Sequence, residues 1–394
     1  MCNSDGFSCK EAFMDFKLTE EQELLLSSIR ELITRDFSEE YFKKCDETYT
    51  YPIEFMQALA ENGITMLGVP EELGGIPADL MTQMLAIEEV GRMGAPCFLM
   101  MGAHCIHNML QFGNAEQLRM TVEAVEKGVP AFSLAITEPQ AGSDNNLLAT
   151  TYTRKNGKVY LNGQKTFITG AADYPYMLVV ARDPEGSDPK KCFSLWWVDP
   201  KAPGVRLNRL HKIGWRMVSN CEVFFDNVEL EESALVGEEG NGFVHLMKNF
   251  EIERLTISAY SLGPAECAFE DAARYANQRM QFGKKIGQFQ MIQDKLTQMA
   301  IKIQNMKNYV YQVAWQDDNG ESLRLSSALC KLYCAQASFE VIDDAMQIMG
   351  GIGYTDDTRI SRLWRDIRVS RIGGGTDEIM TYIAGRQLLK QYEK

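Results

Sequence analysis

Histidine is scarce in this chain, and closely paired cysteines are missing. Only 4 of the 394 residues are histidine, and the 10 cysteines form no C-x-x-C pair. His104, Cys105 and His107 lie together in an apolar run without another ligand-type residue near them, so we expect buried or interfacial side chains and no metal site. Cys330 and Cys334, four residues apart on a predicted helix, are expected to pack in the core as reduced thiols.

Basic residues are fewer than acidic ones, and the chain has no long apolar run. The chain has 40 Lys and Arg against 54 Asp and Glu, which makes its formal net charge −14. This balance argues against a nucleic-acid-binding protein, although local basic residues and helix N-termini still allow a polyanionic small ligand. No stretch approaches the roughly 18 continuous apolar residues of a membrane span. Residues 1–13 lack the basic and apolar regions of a secretory signal, so we expect a cytoplasmic protein.

Apolar residues at helical spacing dominate the first third of the chain. A helix is predicted to begin at Thr19, where the pattern T-x-x-Q forms a capping box with Gln22. Its apolar face is expected to contain Leu24, Leu25, Ile29 and Leu32. Pro and Gly residues predict breaks at 51–52, 69–77 and 95–96.

The pattern changes to short strands after residue 130. Runs rich in β-branched and aromatic residues lie at 158–163, 176–181, 193–198 and 221–225. Turn residues separate the strands, including Asn156-Gly157 and Asn162-Gly163. Helical patterns return after a Gly-rich hinge at 237–242, with helices predicted over 243–280, 288–317 and 322–348.

These patterns predict a mainly α protein with a central antiparallel β-domain. We expect four segments in chain order: a flexible N-terminal extension at 1–17, an N-terminal helical domain at 18–130, the β-domain at 131–237 and a C-terminal helical bundle at 238–394. Met14 is the expected start of the folded part, because the first recognisable helix start follows it closely.

Three motifs combine glycine with polar or charged residues. The first, Ala135–Asp144, offers hydroxyls and free backbone N–H groups to a flat polar ligand, although a tight turn explains it equally well in isolation. The second, Gln347–Asp357 followed by Arg362 and Asp366, lets the backbone approach a phosphate or an adenine, or simply ends a helix. The third, Arg279–Lys284, suits a pyrophosphate, or forms a solvated basic turn.

Together, in this order around a β-domain, the three motifs resemble the acyl-CoA dehydrogenase family from about Met14 to Tyr392. The resemblance implies the fold of that family, in which the C-terminal part is a four-helix bundle. Within the family the chain looks most similar to the bacterial branch that contains crotonobetainyl-CoA reductase, on the segments Cys267–Arg279 and Leu388–Tyr392.

The resemblance implies that FAD binds against the β-domain. Beside the flavin ring or its chain it places Ile136, Thr137, Gly142 and Ser143. Phe167 is expected to cover the ring, where family members often carry Trp, and Thr169 to hydrogen-bond toward N5. The pyrophosphate and adenine end is expected across a subunit interface, in a homotetramer built as a dimer of dimers, at Arg279, Phe282, Gln347 and Gly351. Thr376 and Glu378 complete the predicted cofactor contacts.

The catalytic base departs from the common family pattern. Many members place a Glu in a Tyr-Glu-Gly-Thr segment, but here the matching residues are Gly373-Gly374-Gly375-Thr376. A minority uses a Glu in an earlier Glu-Arg-Leu pattern, which this chain carries at Glu253. The resemblance therefore implies Glu253 as the base, with a pKa raised by burial, unless it is a solvated helix carboxylate. The backbone N–H of Gly374 is expected to polarise the thioester oxygen.

Five residues are expected at the substrate: Ser143, Phe250, Glu251, Arg254 and Gly373. Residues two apart on a helix cannot both face one pocket, and the resemblance implies that Glu253 faces the flavin while Glu251 lies nearer the pantetheine. Asp377 and Glu378 are interpreted as flavin-proximal or helix N-terminal carboxylates and not as the base. Since the three glycines remove bulk from the pocket wall, we predict a short or polar acyl group, branched or charged groups included.

The implied activity is FAD-dependent interconversion of an acyl-CoA and its trans-2-enoyl-CoA, with electrons exchanged with an electron-transfer flavoprotein. The direction stays open between a dehydrogenase and an enoyl-CoA reductase. An oxygen-using acyl-CoA oxidase is disfavoured, because such chains usually carry an extra C-terminal domain. Two further candidate functions stay open: a non-catalytic acyl-CoA or flavoprotein scaffold, suggested by Gly374, and a subunit of an electron-bifurcating complex.

Overall fold

Helices occupy both ends of the chain and strands its middle in the computed structural model, which describes residues 17–186, 188 and 191–393. The helices are α1 (Glu20–Asp36), α2 (Glu39–Glu47), α3 (Ile53–Glu61), α4 (Leu80–Arg92), α5 (Gly102–Phe112), α6 (Ala115–Glu126), α7 (Gly242–Gln278), α8 (Gln290–Asp318), α9 (Ser326–Met349), α10 (Arg359–Ile367) and α11 (Asp377–Gln391). The mainly helical fold with a central β-domain is confirmed, while the exact domain boundaries stay predictions. Met14 and all of the predicted extension except Lys17 lie outside the described residues.

The strands are β1 (Phe132–Ala135), β2 (Thr151–Lys155), β3 (Lys158–Thr169), β4 (Tyr176–Arg182), β5 (Phe193–Val198), β6 (Val205–Arg209), β7 (Asn220–Leu230), β8 (Leu235–Val236), β9 (Met280–Gln281) and β10 (Lys284–Lys285). One sheet runs in the order β6-β7-β3-β2-β4-β5-β8, with β1 beside β4, and β9 pairs with β10 separately. Most pairs are antiparallel, and β4 pairs in parallel with β1 and β2. The β2–β3 hairpin turns at Asn156 and Gly157, whose φ angles of 55° and 76° suit a two-residue Asn-Gly turn.

The predicted turn at Asn162-Gly163 is wrong. Strand β3 continues through both residues, and its register to β7 shifts between Leu161 and Gly163, so the glycine forms a bulge. A second shift between Lys165 and Ile168 leaves Phe167 with a φ of 59° and its side chain 66% exposed. Bulges of this kind redirect a side chain, and here an aromatic ring is turned out of the sheet surface.

Helix α1 begins with the predicted capping box. Thr19 Oγ1 accepts from the backbone N–H of Gln22 at 3.2 Å, and Gln22 Oε1 accepts from the N–H of Thr19 at 3.1 Å, which confirms the prediction. The predicted apolar face is partly wrong, because Leu24 is 69% exposed. Three consecutive leucines allow more than one choice of face, and the buried one contains Leu26, Ile29, Leu32 and Ile33.

The long helix α7 links the cores of the molecule. Buried residues of the largest core come from α3, α4, α7, α8 and α9, among them Phe55, Leu85, Leu255, Met306 and Ile342. Another core joins the sheet to the beginning of α7 through Phe193 and Leu246. Cys330 and Cys334 are buried with their sulfurs 3.9 Å apart, which confirms their packing role. The first half of α7 is therefore held against both the helical bundle and the sheet.

Candidate active site

The predicted base and the glycine loop meet in the structure. Glu253 lies on α7, whose neighbouring residues Leu255 and Ala259 are buried in the largest core and fix the orientation of the helix. Its Oε1 atom lies 3.9 Å from the position that a Cβ atom would take on Gly374. The two residues predicted to be catalytic are thus neighbours, although they come from distant parts of the chain.

The centre of the loop of residues 373–375 disfavours a side chain. Gly374 and Gly375 have φ angles of 62° and 97°, a region that favours glycine. The Cδ1 atom of Ile257, one helical turn after Glu253, already occupies the space that a Cβ on Gly374 needs. The space that a side chain on Gly374 would fill is therefore occupied by Ile257 of α7. The expectation that the glycines widen the substrate pocket is not supported at Gly374.

A buried lysine that belongs to none of the sequence motifs holds this loop. Lys331 of α9 is fully buried, and its ammonium group donates a hydrogen bond to the carbonyl oxygen of Gly375. Burial lowers the pKa of Lys331 to about 8, with Asp377 opposing the shift. The signal in the sequence was a lysine on an otherwise apolar helical pattern between Cys330 and Cys334.

Burial and local charge act on Glu253 in opposite directions. Burial raises the pKa of its carboxyl above 4.5, while the positive charges of Arg254 and Lys331 counteract the rise. Burial also lowers the pKa of Arg254, whose Nε lies buried without a hydrogen-bond partner. A carboxylate with a raised pKa next to two cations can accept and return a proton near neutral pH.

The other carboxylates of this region are placed differently. Glu251 has a pKa raised by burial, and Arg254 and Arg324 lie close enough to lower it. Asp377 Oδ2 accepts hydrogen bonds from Arg371 at 2.7 Å and from Gln336 at 3.1 Å, while Oδ1 is buried without a hydrogen-bond partner. Thr376 caps α11 by accepting from the N–H of Ile379, and the exposed Glu378 follows in the first turn. Glu253 differs from them in that its Oε1 atom lies 3.9 Å from the Cβ position of Gly374.

Two segments of the β-domain form the predicted flavin face. The backbone N–H of Thr166 donates to the carbonyl oxygen of Thr137 at 2.8 Å, which joins the first motif to β3. Thr169 Oγ1 accepts from Asn220 of β7 at 3.1 Å, close to the outward ring of Phe167. Together with the half-buried Ile136, these residues present an exposed aromatic ring between hydroxyls and main chain, which fits a flat aromatic cofactor.

A buried ion pair supports this face from below. Lys165 is fully buried and donates to Glu138 at 2.7 Å and to the carbonyl oxygen of Ile136 at 2.9 Å. Glu138 also accepts from the N–H groups of Ala149 and Thr150, at 2.7 and 2.9 Å. The pair therefore ties the first motif to β3 at the point where both carry predicted cofactor residues, and no local pattern in the sequence pointed to it.

The remaining predicted residues near this face are exposed or packed at its border. Gly142 and Ser143 are exposed, and a Cβ on Gly142 would meet nothing within 4 Å, so a ligand can approach the backbone there. Phe250 packs on the same core cluster as Ile136, which places the start of α7 beside the first motif. Gly373 is half-buried in the glycine loop.

The residues predicted for the adenine end are exposed, and two of them, Arg279 and Phe282, lie far from Glu253. Arg279 caps the C-terminus of α7, about 39 Å along the helix from Glu253 (26 residues at 1.5 Å each). Phe282 follows with a φ of 50° and a side chain that is 93% exposed. Gln347 and Gly351, at the end of α9, are exposed as well. The single chain does not bring Arg279 and Phe282 to the glycine loop.

Neither a metal cluster nor a membrane-spanning helix is found in the described residues. Within 17–186, 188 and 191–393, no group of three or more His, Cys, Asp or Glu side chains suits a metal ion. None of the helices in this described part of the chain is long and apolar enough to cross a membrane.

Comparisons with known proteins match almost the entire chain. Family models described as the N-terminal, middle and C-terminal domains of acyl-CoA dehydrogenase match residues 19–128, 133–228 and 240–389. The "Probable acyl-CoA dehydrogenase YdiO" of Escherichia coli K12 is 68% identical over 381 residues, which cover 96% of this chain and 100% of the relative.

Solved structures have the same architecture. The butyryl-CoA dehydrogenase of Megasphaera elsdenii superimposes with a TM-score of 0.88 at 28% identity, covering 95% of this chain and 100% of that one. A chain from the work on the "Electron transferring flavoprotein of Acidaminococcus fermentans: Towards a mechanism of flavin-based electron bifurcation" superimposes with a TM-score of 0.89 at 29% identity, covering 96% and 100%.

Proposed function

Because the chain belongs to the acyl-CoA dehydrogenase family, whose members are FAD-dependent enzymes that oxidise acyl-CoA, we propose that it interconverts a short acyl-CoA and its trans-2-enoyl-CoA with Glu253 as the catalytic base. The observation that carries the proposal is the Glu253 carboxylate beside Gly374, at a loop position whose positive φ and contact with Ile257 disfavour a side chain. In this proposal α7 supplies the base that many relatives place in that loop.

Glu253 removes the proton from the α carbon of the thioester in the oxidative direction. Burial keeps its pKa above the usual value, so the carboxylate is a stronger base than an exposed glutamate. The backbone N–H of Gly374 donates to the thioester oxygen and stabilises the negative charge that develops there. Lys331 holds the loop by its hydrogen bond to Gly375, and Glu251, Arg254, Phe250, Ser143 and Gly373 border the path of the acyl-CoA.

FAD fits the face formed by Ile136, Thr137, Phe167 and Thr169, because an exposed ring in a strained backbone conformation needs a partner to cover it. When bound, FAD supplies the acceptor for the hydride that leaves the β carbon. Gly142 and Ser143 offer backbone groups to the same cofactor, and Thr376 and Glu378, at the N-terminus of α11, lie next to the glycine loop.

A second subunit completes the cofactor site in this proposal. Arg279, Phe282, Gln347 and Gly351 are exposed, and Arg279 and Phe282 are far from the base of their own chain, as expected if they serve a neighbouring subunit. Further exposed apolar side chains, Met280, Met291 and Tyr354, favour a homotetramer built as a dimer of dimers. An electron-transfer flavoprotein is the proposed redox partner, supported by a similar chain whose structure comes from work on the electron transferring flavoprotein of Acidaminococcus fermentans.

The test is the anaerobic absorbance of the purified holoenzyme. Adding butyryl-CoA should bleach the flavin maximum, and adding crotonyl-CoA to the chemically reduced enzyme should restore it. Bleaching in the first assay supports the dehydrogenase direction, whereas reoxidation alone indicates an enoyl-CoA reductase. Silence in both assays, with CoA thioesters bound, would replace the proposal by a non-catalytic scaffold.

A further inference from the structure

One face of α7 leads from the base into the interior. Glu253, Ile257, Tyr260 and Pro264 follow each other at intervals of three or four residues and so share a side of the helix. Ile257 lies against Gly374, and Tyr260 and Pro264 line a small cavity. An acyl chain whose α carbon lies at Glu253 meets this face as it extends away from the thioester.

Helix geometry directs the side chain of Tyr260 toward the N-terminal part of α7, where the base lies. Side chains on a helix lean toward its N-terminus, so Tyr260, two turns after Glu253, covers the turn between them. Burial raises the pKa of Tyr260 well above its usual value, and the nearby Glu253 carboxylate adds to the rise. The Tyr260 backbone is held in place as well, because its carbonyl oxygen accepts from Cys97 Sγ at 3.7 Å.

Two further rings complete an aromatic wall made of Phe98, Trp215 and Tyr260. The rings of Trp215 and Tyr260 meet edge to face at 5.7 Å, and Phe98 stacks on Trp215 at 4.5 Å with an angle of 7°. The backbone N–H of Trp215 donates a hydrogen bond to the carboxylate of Asp366, which holds this residue in place. The cavity left beside these rings measures about 20 Å³, roughly the space of one water molecule.

Two charged side chains on the cavity wall are held by partners. Arg362 donates to Glu39 at 2.8 Å and to the carbonyl oxygen of Gly94 at 2.9 Å, while its Nε is buried without a hydrogen-bond partner. Asp366 accepts from the backbone N–H of Trp215. The rest of the wall consists mostly of rings and hydrocarbon side chains, which suits an apolar end.

We propose that the aromatic wall restricts the enzyme to short, apolar acyl groups such as butyryl, with Tyr260 as the specificity-determining residue. This inference rests on the proposed function, because it takes Glu253 as the position of the α carbon. The short substrate follows from rings that fill the space beyond the base, independently of the glycines in the loop.

The experiment compares kcat/KM for butyryl-, hexanoyl- and octanoyl-CoA in the holoenzyme and in Tyr260→Ala. Native enzyme prefers butyryl-CoA, and Tyr260→Ala raises the octanoyl-to-butyryl ratio at least about ten-fold, the discrimination expected for one methylene group. Tyr260→Phe is the matched control, which keeps the ring and hence the native ratio.

An unchanged ratio in Tyr260→Ala with FAD retained overturns the inference, and so does a native enzyme that prefers octanoyl-CoA. If Tyr260→Ala does not fold, Trp215→Phe reduces the same wall from its other side and must shift the ratio in the same direction. A native enzyme inactive with every thioester in both directions contradicts the proposed function itself, whereas activity on butyryl-CoA without a shift in the variants contradicts this inference alone.

Discussion

The carboxylate of Glu253 and the backbone of Gly374 face each other between α7 and the loop before α11, with Oε1 3.9 Å from the position of an added Cβ. Ile257 fills the rest of that space. A side chain at position 374 would displace the end of Ile257 and adopt a strained backbone conformation, with its Cβ in van der Waals contact with Glu253. The glycine in the loop and the glutamate on α7 are therefore compatible with each other.

Gly374→Ala should lower both stability and activity. A non-glycine residue at a φ of 62° costs about 1–3 kcal/mol, and the new methyl group meets Ile257. If the loop relaxes this strain by shifting, the N–H proposed to polarise the thioester moves with it, and kcat should fall about 100-fold. Thermal unfolding and steady-state turnover measure the two effects. Gly385→Ala is the control, since nothing lies within 4 Å of its Cβ position on α11 and neither quantity should drop.

The rate of acyl-CoA oxidation should fall in acid as Glu253 becomes protonated. Because burial raises the pKa of Glu253 above 4.5, the base form is lost at a higher pH than for an exposed glutamate. The acidic limb of kcat/KM for butyryl-CoA should therefore have its midpoint above pH 4.5. A profile that stays flat down to pH 4.5 in a folded, FAD-loaded enzyme would argue against a buried base.

Lys331→Met should affect the loop and the base together. The variant removes the hydrogen bond to Gly375 and the positive charge that lowers the pKa of Glu253, so the acidic limb moves to higher pH and kcat falls. A purely structural lysine would reduce stability and leave the midpoint of the limb in place. Lys302→Met, which removes an ion pair of Lys302 with Glu340 on the outside of the bundle, is the control and keeps the native profile.

Lys165→Met should destabilise the flavin face. Glu138 is left buried without its cation, which costs about 3–5 kcal/mol for a pair of this kind. Chemical unfolding should show this loss, and the purified variant should hold less FAD because Ile136 loses its partner. Lys158→Met breaks a pair of the same type on the surface, where the loss is within about 1 kcal/mol. Equal stabilities of the two variants would contradict the supporting role of the buried pair.

Much of the architecture could be predicted from local patterns. The capping box at Thr19, the Asn156-Gly157 turn and the three long C-terminal helices follow from short-range preferences that the structure retains. Asn162-Gly163 misled the prediction, because a bulge inside a long strand uses the same residues as a turn. Leu24 was wrongly predicted to be on the buried face of α1, because the adjacent leucines allow two choices of apolar face.

The site was only partly predictable for a different reason. Glu253 and Gly374 could be proposed through the resemblance, but their contact depends on how α7 packs beside the last loop. Lys331, Ile257 and Tyr260 carried no motif, and their roles appear only when α7, α9 and the loop of residues 373–375 come together. Such contacts between distant segments have no local pattern in the sequence.

The role of Glu253 is tested most sharply by the anaerobic reduction of Glu253→Gln with butyryl-CoA, followed by absorbance at the flavin maximum beside native enzyme and Glu251→Gln. Glutamine keeps the size of the side chain but cannot take the α proton, so we predict bound FAD and bleaching that is at least about 100-fold slower. Glu251→Gln should bleach at a rate close to the native one. Bleaching of Glu253→Gln at the native rate would contradict the assignment of Glu253 as the catalytic base.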